Sequence, residues 1–219
     1  MTGPASPPQP LPRGLRLAAL VCLILSGLSG FSALKETLEL SHLSELRDEA
    51  SNLARFSKDK DLIVLARLSE AQLAAREPLH ESRSLVLAGL SLACAFMFVT
   101  AGRLLRPGGV PLERVRRLLA GSALIAAVLR TIDGAQSAVI ARRVGAAAIH
   151  ILATLPEFQK PEAIAQLQAG LPGLAAAFAM GLTALIAGTF ALLGQYFRSE
   201  HVRDAIIAYD GEDLAEEED

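Results

Sequence analysis

Apolar positions along the chain gather into four long runs, roughly Leu15–Leu34, Ser84–Gly102, Leu118–Ala141 and Pro172–Phe197. Each is long enough for the helix of about 20 residues that crosses a bilayer. Arg83 and Arg103 stand as charged bookends to the second run, and the fourth carries no charge. The pattern predicts an all-α protein, a polytopic transmembrane helical bundle with four spans. Sliding the third span toward "AVIARRVGAAAIHILATL" would raise the count to five or six.

Between the first two spans, residues 35–83 mix eight basic with ten acidic side chains. Leu43, Leu46, Ala50 and Leu53 recur at helical steps, "SKDKD" (57–61) interrupts them, and Leu62, Leu65, Ala66, Ser69 and Leu73 resume the stripe before Pro78. Such stripes mark packed helices. We expect an external helical hairpin, its first helix continuing the first span. From Leu118 to about Leu155 no proline interrupts the pattern, so one long helix is expected there. "PEFQKP" (156–161) should turn it, a short helix should follow, and Pro172 should open the last span. "AALVCLILSGLSG" (18–30) and "SALIAAVLRTIDG" (122–134) align loosely, a faint sign of a duplicated hairpin.

Charge orients the spans. Residues 103–117 hold Arg103, Arg106, Arg114, Arg116 and Arg117 against Glu113 alone. An excess of basic residues in a short loop marks the cytoplasmic side. Both termini then face the cytoplasm, in agreement with Arg13, Arg16, Arg198 and Arg203 and against Arg142 and Arg143. The uncharged stretch Leu17–Leu34 exceeds the usual core of a cleavable signal peptide and reads as a retained span. The expected organisation is a Pro-rich, disordered N-terminus (1–14), a membrane domain (15–197) and a cytoplasmic acidic tail (198–219). Composition agrees: 52% of residues are hydrophobic and the mean hydropathy is +0.38. Abundant alanine, leucine, arginine and glycine without tryptophan suggests a bacterial source, hence the inner membrane. Cys22 and Cys94 lie inside apolar runs and read as small buried hydrophobes.

The third span contains Arg130, Asp133 and Gln136. On a helix, Ala123, Ala126, Ala127, Arg130, Asp133, Gly134 and Ser137 share one small, polar face, and Leu124, Ile125, Val128, Ile132 and Val139 share the other. Small faces favour helix contacts and apolar ones favour lipid. Arg130 and Asp133, three apart, should point inward and pair. A membrane-buried charge costs about 2.5–3.5 kcal/mol on insertion scales, so it persists with a partner or a role. The cluster reads as a structural pair or conformational switch, or as part of a transport path.

Other chemistry is sparse. Glu77 and His80 have di-metal spacing, but Pro78 interrupts them and no second copy exists. His42, His80 and His150 could share the external side. No phosphate-binding loop, dinucleotide fingerprint, metalloprotease motif or nucleophile elbow occurs. We expect neither an enzyme nor a metal or cofactor. The tail is distinctive: Asp210, Glu212, Asp213, Glu216, Glu217, Glu218 and Asp219 make seven acids in the last ten residues. An acidic strip can dock a basic partner by competing for the surface that partner would offer phosphates. Ala205, Ile206, Ile207 and Tyr209 could add apolar anchors.

The layout of several spans with the cytoplasmic "GEDLAEEED" resembles the small polytopic membrane-bound anti-sigma factors of myxobacteria, of the carotenogenesis-regulator type. That resemblance implies a regulator that sequesters a soluble, basic cytoplasmic protein, a sigma factor, at the membrane without binding nucleic acid itself. A small oligomeric transporter or channel using Arg130, Asp133 and Gln136, and an assembly or immunity subunit packed on another membrane protein, are the alternatives.

Overall fold

The computed structural model describes residues 12–56, 59–106, 111–153 and 161–217, with backbone alone at 54, 60, 161, 163 and 211–217. Among these residues every regular element is a helix: α1 (Arg13–Ser41), α2 (Leu43–Phe56), α3 (Lys60–Arg76), α4 (His80–Leu105), α5 (Leu112–Leu152), α6 (Pro161–Arg198) and α7 (Glu200–Glu217). Four helical stretches, Arg13–Ser41, Asp61–Leu105, Leu112–Leu152 and Ile164–Arg198, are long and apolar enough to cross a membrane. The protein is all-α and multi-pass.

Prolines and caps punctuate the chain. The Asp59 carboxylate accepts from the Asp61 amide at 3.0 Å and starts α3. Its far end runs through a 3-10 turn at Glu77–Leu79, centred on Pro78, directly into α4. Pro111 precedes α5 and Pro161 opens α6, where a missing amide costs nothing. Helix α1 stops at Ser41, and α2 begins separately at Leu43 and packs against α3. The helical hairpin between the first two spans therefore forms, but its first helix is not the same rod as the first span. A second difference lies at Pro172. It sits inside α6 rather than at a span's start, so the expected short helix and the last span are one element. The turn expected at 156–161 lies, up to residue 160, outside the described residues.

The chain forms two compact units. One comprises Met1–Ala33, Gly89–Val128 and Ala187–Asp219; the other comprises Leu34–Ala88 and Leu129–Ile186. In the first unit Ala19, Cys22, Met97, Leu119, Phe190 and Phe197 are buried. So are Val202 and Ile206 of α7, four residues apart on one helical face. The helical stretch expected before the acids thus forms, but Ile206, expected as an anchor for a partner, is packed inside the protein. In the second unit Leu40, Ala66, Leu87, Ala138, Ile140 and Ile149 are buried. Leu85, Leu174, Phe178 and Leu185 are each at least 68% exposed. Outward leucine and phenylalanine at this density suit lipid, where they need no protein cover.

Candidate functional site

The face expected to turn inward does so: Ala123, Ala126, Ala127, Asp133 and Gly134 are buried, and Ile125, Val128, Ile132 and Val139 are exposed, whereas Leu124, expected to face lipid, is half-buried against Gly194 of α6. Gly134 permits this packing. A Cβ there would lie 2.0–2.5 Å from the Thr183 side chain of α6, so only glycine lets the two helices meet at this point.

Asp133 is 1% exposed. Its Oδ2 accepts from Arg130 Nη1 at 2.6 Å, the i,i+3 pair expected from spacing. Its other oxygen faces a residue that sequence reasoning treated as a bookend: Arg83 Nη2 lies 3.0 Å from Oδ1. That contact is an ion pair outside hydrogen-bond direction. Arg83 is itself 3% exposed. It donates from Nε and Nη2 to Glu36 Oε1 at 3.0 and 2.9 Å, and from Nη2 to Ser137 Oγ at 3.1 Å. Its Nη1 reaches the Asp133 carbonyl at 3.5 Å. A chain of alternating charge results, Glu36–Arg83–Asp133–Arg130, with two cations and two anions supplied by α1, α4 and α5. Pairing of this kind is what makes buried charge tolerable, and removing one member strands the others.

Glu36 and Arg83 were missed because each sits one or two residues outside a span as hydropathy draws it. The available signal was their position: Glu36 two residues past the first hydropathy span and Arg83 one residue before the second. Gln136 does not join the chain. Its Nε2 donates at 3.4 Å to Ser82 Oγ, and its buried Oε1 has no hydrogen bond. Glu77 pairs with Arg47 at 2.8 Å, and His80 Nε2 bonds the Leu40 carbonyl at 3.0 Å, capping the end of α1. Among the described residues no group of three metal-ligating side chains comes together.

The acidic residues near the C-terminus divide. Asp210 accepts from the Leu112 and Glu113 amides at 3.2 Å each. It thereby caps the N-terminus of α5, which Pro111 cannot do for lack of a side-chain acceptor, and its charge suits the helix dipole there. Glu212, Asp213, Glu216 and Glu217 lie on α7 as backbone, and Glu218 and Asp219 fall outside the described residues. Beside the cap, Arg116 grips Glu113 with Nε at 2.6 Å and Nη2 at 2.8 Å, and donates through Nη1 to the Phe197 carbonyl at the end of α6. Glu113 lies in the first turn of α5, five residues before the uncharged run that begins at Leu118. The hydrogen bond from Arg116, followed by that from Arg117, outweighs burial and holds its carboxyl at about 2.

Comparison with protein-family models, curated proteins and solved structures finds no match at any of the three levels.

Proposed function

We propose that the protein is a regulator of the bacterial inner membrane that holds a soluble, basic cytoplasmic partner through its acidic C-terminal helix. Both termini face the cytoplasm in this reading, as the five arginines of 103–117 favour. The partner would be a sigma or other transcription factor, as the resemblance to membrane-bound anti-sigma factors implies.

One observation carries the reading. Helix α5 is a single 41-residue element. It bears Arg130 paired with the buried Asp133 in its middle, and its first amides are held by Asp210 of the acidic helix. A change in the charge network can therefore reach α7 through one continuous helix. The network also favours a switch over a transport path. Both Asp133 oxygens already face guanidinium groups, which leaves Asp133 without a free oxygen to carry a proton or ion.

The test compares full-length protein with a chain ending at Gly211, which keeps the Asp210 cap. Both are purified in mild detergent from the native membrane. A soluble basic protein that co-purifies with the full chain, dissociates with added salt and is lost on truncation supports the reading. The same proteins in both samples, or membrane proteins alone, overturn it and favour an assembly subunit.

A further inference from the structure

A groove of about 400 Å³ opens in the second unit. Its volume falls within the range of about 300–1,000 Å³ typical of ligand sites. One end is polar, lined by Glu36, Gln72, Arg76 and Arg83. The other end is apolar and passes Val144, Ala148, Leu171 and Ala175. Gly145 shapes this wall: a Cβ there would come within 3.0 Å of Pro172 Cα, so the bare backbone lets α5 close on α6.

Arg76 is the group whose chemistry the fold leaves unfinished. Its side chain is 17% exposed and its nearest carboxylate oxygens stand off, Glu39 at 3.6 Å and Glu36 at 3.9 Å. Its buried Nε has no hydrogen bond. Glu36 is already engaged by Arg83 at 2.9 Å, and Glu39 is shared with Lys35 at 3.6 Å. Counting every charge in this connected set, Lys35, Arg76, Arg83 and Arg130 stand against Glu36, Glu39 and Asp133, one positive charge in excess. A half-buried guanidinium in excess of its carboxylates favours a bidentate anion, and phosphate oxygens match its geometry.

The setting of the groove narrows the ligand further. Every residue that lines it lies on one of the four helical stretches long and apolar enough to cross a membrane. Lipid is therefore the solvent nearest to hand for this groove. An anion with an apolar extension, drawn from that solvent, is a phospholipid. We propose that this groove binds an anionic phospholipid, its phosphate on Arg76 and Gln72 and one acyl chain along Val144, Ala148, Leu171 and Ala175. The site stands whichever partner α7 has.

The experiment is native mass spectrometry of the full-length protein with equimolar phosphatidylglycerol and phosphatidylcholine, with palmitate as a competitor. The expected result is retention of phosphatidylglycerol over phosphatidylcholine by about fivefold to tenfold, the scale of one basic contact at a membrane surface. Arg76→Gln should abolish the preference. Ala148→Phe, which fills the apolar end and leaves every charge in place, should lower retention of phosphatidylglycerol even if Arg76→Gln does not fold. Arg142→Gln removes an exposed charge that does not line the groove and should keep the preference. Equal retention of the two lipids, an equal loss in Arg142→Gln, unchanged binding in Ala148→Phe, or displacement by palmitate at the same concentration would each overturn the proposal.

Discussion

Replacing Arg83 by alanine isolates the energetic claim about the buried network. The change removes two hydrogen bonds to Glu36, one to Ser137 and the 3.0 Å contact with Asp133. Glu36, with a side chain only 23% exposed, is left with Arg76 at 3.9 Å. Asp133 keeps Arg130 alone. Stranding a buried charge costs about 3–5 kcal/mol when one partner is deleted. The Glu36 side retains some solvent and the Asp133 side retains one cation, so the lower half of that range, about 3 kcal/mol, is expected. The assay is reversible unfolding of detergent-solubilised protein followed by helical circular dichroism. A double-mutant cycle with Glu36→Gln should return a coupling of about 1–3 kcal/mol, because neutral glutamine no longer needs the guanidinium. A loss below about 1 kcal/mol, or strict additivity with Glu36→Gln, would refute the view that Arg83 holds this network together.

Arg130→Ala should cost less than Arg83→Ala in the same assay, because Asp133 keeps Arg83; an equal or greater loss would reverse that ranking of the two arginines. Gly134→Ala should destabilise by about 1–3 kcal/mol through overpacking, with partial recovery in Gly134→Ala/Thr183→Ala; a neutral Gly134→Ala would mean the α5–α6 approach is looser than 2.0 Å implies. Asp210→Ala should cost about 1 kcal/mol as a lost helix cap and Asp210→Asn much less, read as thermal midpoints; equal effects would assign the contribution to charge alone. Glu113 ionises more easily in the folded chain, at about 2 against an ordinary 4.5. Its contribution is therefore complete above pH 4.5 and fades as pH falls toward 2, and Glu113→Gln should flatten stability over that interval.

Periodicity and hydropathy were enough to foresee helices, four spans and the inward face of α5, because those depend on local spacing. The partners of Asp133 were hidden for a physical reason. A span drawn from hydropathy ends at its first charge, so Arg83 and Glu36 were assigned to the rims even though their helices continue and their side chains turn inward. Long arginine stems make this possible, since the head can lie a turn or more from its own Cα. Pro172 misled in the opposite way. Proline normally marks a helix start, but here the lost amide bond is tolerated inside α6 where Gly145 admits its backbone. In α7 the apolar Ile206 was legible but assigned to a partner, because spacing does not show that it packs with Val202 inside the protein. Nothing in sequence spacing could show that Asp210 caps a helix 98 residues upstream.

In the proposed regulator the charge network sets the state that α7 reports to a soluble partner. The most direct test is the amount of partner retained by Asp133→Asn, an isosteric change that leaves α7 untouched, against the unaltered chain in the same membranes. The account predicts a change in retention of at least about fivefold, the lower bound of typical coupling between distinct sites. Identical retention, with Asp133→Asn folded and inserted, would contradict it and leave the network a purely structural brace.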